Sequence, residues 1–171
     1  VHKRGQASRD GPVPGICRRE GYTLGAGLEV AAACDIRIAT DGAYFGMPEV
    51  KVGIPSVVEA ALLPRLIGWG RTSWLLLTGE NVDARKAEAW GMVEEVVPAT
   101  KIGEAVERCV RSIADATPLA VRAQKRLMRR WERLPLDEAV QAGIDAFAQS
   151  VADGEHVERM AEFVNRKRKS P

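Results

Sequence analysis

The chain has 171 residues, enough for one domain with a real core, and its 46% hydrophobic and 28% charged content is ordinary for a globular protein. A formal net charge of +2 gives no bulk electrostatic pull toward nucleic acid. No apolar run is long enough for a membrane-spanning helix, no signal-type apolar stretch lies near Val1, and three cysteines without metal spacing read as reduced thiols of a cytoplasmic protein.

Residues 1–20 are basic and rich in Gly and Pro, with neither helical nor strand period, so they read as an irregular segment. Within them Pro12-Val13-Pro14-Gly15-Ile16-Cys17 is a broken attempt at a strand. Two readings stand: a tail, or a chain that lacks the first half of its domain. From Gly21 the pattern becomes regular. A small-residue loop leads into a short helix over Ala26 to Ala33, since Ala is the best helix former. Asp35 to Thr40 alternates polar and apolar and reads as a strand, Asp41-Gly42 as a turn, and Ala43 to Phe45 as a second short strand.

A helix is expected over Glu59 to Leu66, stopped by Gly68 and Gly70, and another over Thr72 to Leu77, broken at Thr78-Gly79-Glu80. Asp83 caps a helix from Ala84 to Trp90 with Gly91 as its stop, and Met92 to Val97 reads as a strand. The remainder is helical: Ile102 to Ala114, a restart at Thr117-Pro118 through Leu134, a helix capped by Asp137 through Ala152, and a last one over Glu155 to Lys167. The order is an α/β core over residues 21–100 followed by a helical region over residues 101–171.

The chemistry concentrates at two places. The Gly-rich entry to the Ala26 helix offers unpaired N–H groups at a positive dipole end, suited to a developing oxyanion. Glu29 lies three residues beyond Ala26, on the same helix face. Glu49 follows on a loop marked by Pro48. Two carboxylates near an oxyanion site can move protons on an activated carbonyl compound. Taken singly, Glu29 is also a solvated helix residue, Glu49 a loop ion-pair partner and Cys34 a small buried residue. Glu59 reads either as an additional acid or, more simply, as a charge favoured at a helix N-terminus. His2 and His156 form no triad or metal cluster. The basic run Arg122, Lys125, Arg126, Arg129 and Arg130 lacks interleaved aromatics and reads as a solvated helix face.

The ordered series Gly21-Tyr22, Gly25, Gly27, Glu29 and Cys34-Asp35, then Phe45-Gly46, Pro48-Glu49, Gly53-Ile54-Pro55, Leu77-Thr78-Gly79 and Ala89-Trp90-Gly91-Met92-Val93 resembles the crotonase superfamily, the enoyl-CoA hydratase/isomerase family. The resemblance begins at about Gly21 and runs to the C-terminus. Nothing before Gly21 matches the family's earlier Gly-Ala-Asp-type loop, so the chain reads as the C-terminal portion of the usual domain. The resemblance implies the second half of a ClpP/crotonase-like ββα spiral, with a C-terminal helical region used in assembly.

It also implies roles. The Ala26 N–H is one oxyanion donor, and Glu29 and Glu49 are the catalytic pair that adds water across the 2,3 double bond of an enoyl-CoA thioester. Gly25, Gly27, Phe163 and Arg166 contact the substrate or its CoA. Coenzyme A enters as part of the substrate, so no separate cofactor and no metal is expected. The implied partners are the acyl-CoA thioester and further copies of the chain, in a trimer or hexamer, with no nucleic acid and no membrane. Retention of Glu29 favours a hydratase over a double-bond isomerase. A catalytically inactive remnant that keeps only the oligomerisation region is the reading from another class. After Gly53-Ile54-Pro55 the family is often glycine-rich, whereas this chain has Ser56-Val57-Val58-Glu59-Ala60-Ala61, a bulkier wall beside Glu49.

Overall fold

The computed structural model describes residues 2–153 and residue 160. They fall into two compact units, Val1–Ile113 and Ala114–Pro171.

In the first unit, β1 (Ile16–Arg19), β3 (Ile36–Thr40) and β6 (Glu95–Val97) form an all-parallel sheet in the order β1-β3-β6. A second sheet holds β2 (Tyr22–Leu24), β4 (Tyr44–Gly46) and β5 (Val82–Asp83) in the order β2-β4-β5. In it β2 and β4 are parallel and β5 is antiparallel to β4. The chain passes from the first sheet to the second between β1 and β2 and again between β3 and β4. Each passage uses a glycine corner, Gly21 at φ +60° and Asp41-Gly42. A helical segment follows each: α2 (Ala26–Ala33) after β2, and a 3₁₀ segment (Pro48–Val52) after β4. This is a ββα winding of an α/β fold.

The central strand β3 is covered on both faces. Ala39 joins Cys17 and Val96 in the main core, with Leu28 and Ala31 of α2 and with Phe45, Met47, Leu63 and Leu75. Ile38 turns the other way, onto Ile102 and Ala105 of α6 (Ile102–Ala114), where Ile16, Ile36, Val97, Val106 and Cys109 complete the cluster. The positions 102, 105, 106 and 109 lie at i, i+3, i+4 and i+7, one stripe of a helix. Burying such a side chain is worth about 1.5–3 kcal/mol, so the amphipathic period fixes which face of α6 meets the sheet.

The expected elements from Ala26 onward are largely present. α2, β3 and β4 stand where the pattern placed them, and α6 has the expected bounds. α4 (Trp69–Thr78) begins three residues before the expected Thr72, so Gly70, read as a stop, lies inside it, while Gly68 caps its start. In α5 (Ala84–Ala89), Asp83 accepts from the Lys86 N–H at 2.8 Å, the expected cap. The helix expected over Glu59 to Leu66 is a 3₁₀ segment (Val58–Leu62) that continues as α3 (Leu63–Ile67), whose second residue is Pro64. β6 is shorter than the expected Met92–Val97 strand, because Gly91 at φ +77° and a bonded turn occupy its start.

Residues 1–20 correct the reading of an irregular segment. His2–Asp10 is a helix, α1, and Ile16–Arg19 is the edge strand β1. Gly5 is the only buried residue of α1, so the helix has no apolar stripe for a sequence to show. Tertiary contacts hold it instead: His2 Nδ1 lies 2.7 Å from Glu59 Oε1, and Ser8 Oγ donates to Cys34 Sγ at 3.3 Å.

In the second unit, α7 (Pro118–Trp131) packs on α8 (Leu136–Asp153), and Trp131 Nε1 donates to the Ala139 carbonyl at 2.8 Å. Asp137 lies inside the first turn of α8 rather than capping it, where its charge still faces the positive helix end. Along α7, Lys125 is buried, which corrects the reading of that basic run as a fully solvated face. The last expected helix, Glu155 to Lys167, lies outside the described residues apart from Met160.

Candidate active site

Gly25 precedes α2 with φ +49° and ψ −120°, a backbone state that side chains disfavour. Its N–H donates to the Gly46 carbonyl at 2.9 Å, which ties the start of α2 to the end of β4. The Glu29 N–H closes the first helical turn onto the Gly25 carbonyl at 3.0 Å. The N–H groups of Ala26, Gly27 and Leu28 precede that turn and have no partner within the helix. Ala26 is exposed and is the first residue of α2, at the positive helix end.

Glu29 comes one turn further along and is buried, at 5% exposure. Burial raises its pKa, and the carboxylates of Glu59 and Glu49 add to the rise. A carboxyl shifted in this direction holds a proton closer to neutral pH, as proton transfer at a carbon centre requires.

Glu49 approaches from the 3₁₀ segment. Pro48 starts it, and Gly53 at φ +82° ends it with an N–H bonded back to the segment. Ser56 Oγ donates to Glu49 Oε2 at 3.0 Å. Glu49 Oε1 rests against Gly25, in the volume that a Cβ there would occupy. Of the residues singled out from sequence, the structure brings together Gly25, Ala26, Glu29 and Glu49. Gly27 differs from Gly25: a Cβ there meets nothing within 4 Å. Phe163 and Arg166 lie outside the described residues.

Two further residues border this site, of which the sequence offered Glu59 as an additional acid and left Ser56 without a role. Ser56 supplies the hydroxyl on Glu49. Glu59 stands in the first turn of the 3₁₀ segment Val58–Leu62, as expected for a charge at a helix start, but it is buried beside α2, and its Oε2 has no hydrogen-bond partner. The signal was a single charge between Val57-Val58 and Ala60-Ala61, an apolar setting in which a solvated carboxylate is out of place. Val58 has φ +52°, which is unusual for a β-branched residue. With Ser56, Val57 and Trp69, it lines an open groove of about 410 Å³. Among the described residues, no helix is long and apolar enough to cross a membrane, and no cluster of three or more His, Cys, Asp or Glu side chains is placed to hold a metal ion.

The ββα winding of parallel strands and helices is the α/β fold of the crotonase class of protein. The chain belongs to the enoyl-CoA hydratase/isomerase family, whose model matches residues 2–170. It is 31% identical over 156 residues to the short-chain-enoyl-CoA hydratase of Clostridium acetobutylicum, an alignment covering 91% of this chain and 60% of that protein. It is 37% identical over 128 residues to the (E)-benzylidenesuccinyl-CoA hydratase of Thauera aromatica, covering 74% of this chain and 50% of that one. The crystal structure of an enoyl-CoA hydratase from Bacillus anthracis superposes with a TM-score of 0.91 at 30% identity, over 95% of this chain and 63% of that chain. The chain thus spans 50–63% of the length of these hydratase relatives.

Proposed function

We propose that the protein hydrates the 2,3 double bond of an enoyl-CoA thioester at the α2 N-terminus. The thioester oxygen accepts from the Ala26 N–H, and charge building on it as the enolate forms is stabilised by that donor and the helix dipole. Glu29 and Glu49 hold a water between them. One takes its proton as the oxygen attacks C3, and the other supplies a proton to C2. The observation that carries this reading is the seating of the Glu49 carboxylate against Gly25, one residue from the Ala26 amide and one helical turn from Glu29. The raised pKa of Glu29 supports it, since it favours a group able to store the transferred proton.

The order of the motifs from Gly21 onward supports placing the chain in the C-terminal portion of the usual domain. The contacts of Gly27, Phe163 and Arg166 with substrate, and assembly as a trimer or hexamer, belong to the same proposal. Val57 and Val58, at the groove next to Ser56, would bound the acyl chain.

The test is loss of the ultraviolet absorbance of crotonyl-CoA on incubation with the protein in the full length its gene encodes. Hydration supports the reading. Conversion of a 3-enoyl thioester without hydration would make the protein an isomerase. Neither reaction, with self-association retained, would mark the inactive remnant.

A further inference from the structure

The groove beside Ser56 carries a charge that the hydration chemistry does not use. It is built by the 3₁₀ segment Val58–Leu62, by α3 and by α4, all within the first compact unit. With three residues per turn, side chains three apart eclipse one another. Val58, Ala61 and Pro64 therefore form one row along the groove, and Val57 and Ala60 a second. Glu59 and Leu62 make the third row, which is not part of the lining. Glu59 turns instead toward α1, where its Oε1 lies 2.7 Å from His2 Nδ1 and its carboxylate fills the space beside Gly5. Val58 is held at φ +52°, a state that a β-branched residue keeps only where its surroundings impose it.

The result is an apolar trough without an acid. Trp69, 76% exposed, and Leu76 form its α4 side. The two hydroxyls of the lining are committed: Ser56 donates to Glu49 at 3.0 Å, and Thr72 donates to the Gly68 carbonyl at 2.9 Å. Among the described residues of the lining, only Arg65 is charged. Arg65 is exposed, and among the described residues its guanidinium has no hydrogen-bond or ion-pair partner.

We propose that this groove receives the far end of the acyl group and that Arg65 pairs with a carboxylate there, so that the substrate is the CoA monothioester of a dicarboxylic acid. The proposal rests on the hydratase reading for the place of the thioester. Ser56 sets one end of the groove a single hydrogen bond from Glu49, so an acyl chain leaving the reacting carbons enters the trough at that point. Its volume of about 410 Å³ falls in the range of small-ligand sites, about 300–1,000 Å³. The apolar walls accept methylene groups. A chain ending in a methyl group leaves the guanidinium unused, and one ending in an amine meets a like charge. A terminal carboxylate matches the planar fork of Arg65 and meets no competing acid in the lining. Exposure of Arg65 screens the pair, so the gain is a preference rather than an absolute requirement.

The experiment measures binding by isothermal titration calorimetry to the protein in the full length its gene encodes. The probes are two saturated thioesters of equal chain length that cannot be hydrated: octanoyl-CoA and the CoA monothioester of octanedioic acid. The dicarboxylic thioester should bind about fivefold more tightly, the size of a partly exposed ion pair. The preference should shrink as salt is raised. Arg65→Gln should weaken the dicarboxylic thioester and abolish the preference. Arg65→Lys should restore part of it, because the charge remains without the fork. Equal or weaker binding of the dicarboxylic thioester, a preference that survives Arg65→Gln, or binding of neither thioester would overturn the proposal. The outcome is separate from that of crotonyl-CoA hydration. A preference without any hydration would keep the groove assignment and remove the reaction, and hydration without a preference would remove the groove assignment alone.

Discussion

The carboxylate of Glu49 occupies the space that a side chain on Gly25 would need. Gly25 also sits at φ +49° and leads directly into α2. One glycine thus sets both the helix start and the position of an acid twenty-four residues later. Gly25→Ala should cost about 1–2 kcal/mol for the left-handed backbone alone. It should also displace Glu49, and a displacement of about 1 Å at a reacting group costs on the order of 10² in rate. Gly27→Ala, with open space at its Cβ, should be neutral or slightly stabilising. Urea midpoints of the two variants check the contrast; equal losses would refute it.

Glu29 gives a pH dependence of defined sign. Its folded-state pKa lies above the ordinary 4.5, through burial and then the neighbouring Glu59 and Glu49. Such a group favours the fold while protonated, and the contribution is lost as pH rises through the folded value. Relative to Glu29→Gln, the natural chain should therefore lose stability on going from pH 4.5 to about pH 8. Urea unfolding of both proteins at the two pH values measures this. A constant difference would show that Glu29 does not titrate in that window.

Arg37 is 4% exposed and binds the carbonyls of Met92 at 2.9 Å, Cys34 at 2.7 Å and Ala31 at 3.3 Å, along with Glu94. It closes the C-terminal end of the helix whose other end carries the candidate site. Arg37→Met orphans several carbonyls at about 1–3 kcal/mol each when buried, so a total loss of about 3 kcal/mol or more is expected. Arg37→Lys should recover little, because one ammonium cannot reproduce the planar fork. Chemical denaturation decides; a loss below about 1 kcal/mol would mean that water replaces the guanidinium.

Along α8, Leu136, Val140, Ile144, Phe147 and Val151 are all exposed, at helical spacing that forms one apolar stripe. Phe147 is 70% exposed. An uninterrupted stripe of this kind seeks a partner surface. The chain should self-associate at low micromolar concentration, and a double substitution of Ile144 and Phe147 by Lys should weaken that association. Light scattering reads the mass; a stable 18.6 kDa monomer of the unsubstituted chain would contradict the expectation.

Legibility followed the physics of each signal. α6 and α2 could be read because an apolar period and an alanine run are local properties. Asp83 could be read because its cap closes within three residues. Helix α1 could not, since its stability comes from Glu59 and Cys34, far away in sequence. Strand β2 was hidden because Tyr22-Thr23-Leu24 is too short to show alternation. At the site, Glu29 and Glu49 stood out only as parts of an ordered motif. The apolar setting of Glu59 hinted at its burial, but the hydroxyl of Ser56 on Glu49 depends on how the segment after Pro55 folds back, which no spacing encodes.

The central claim is that Glu29 and Glu49 work together at the α2 N-terminus. Its most direct test is steady-state hydration of crotonyl-CoA by the protein in the full length its gene encodes, compared with Glu29→Gln and Glu49→Gln. Each variant should keep its fold by circular dichroism and lose about 10²–10⁴ in turnover, the range for a positioned acid or base. Near-normal turnover in either folded variant would remove that carboxylate from the chemistry and contradict the account.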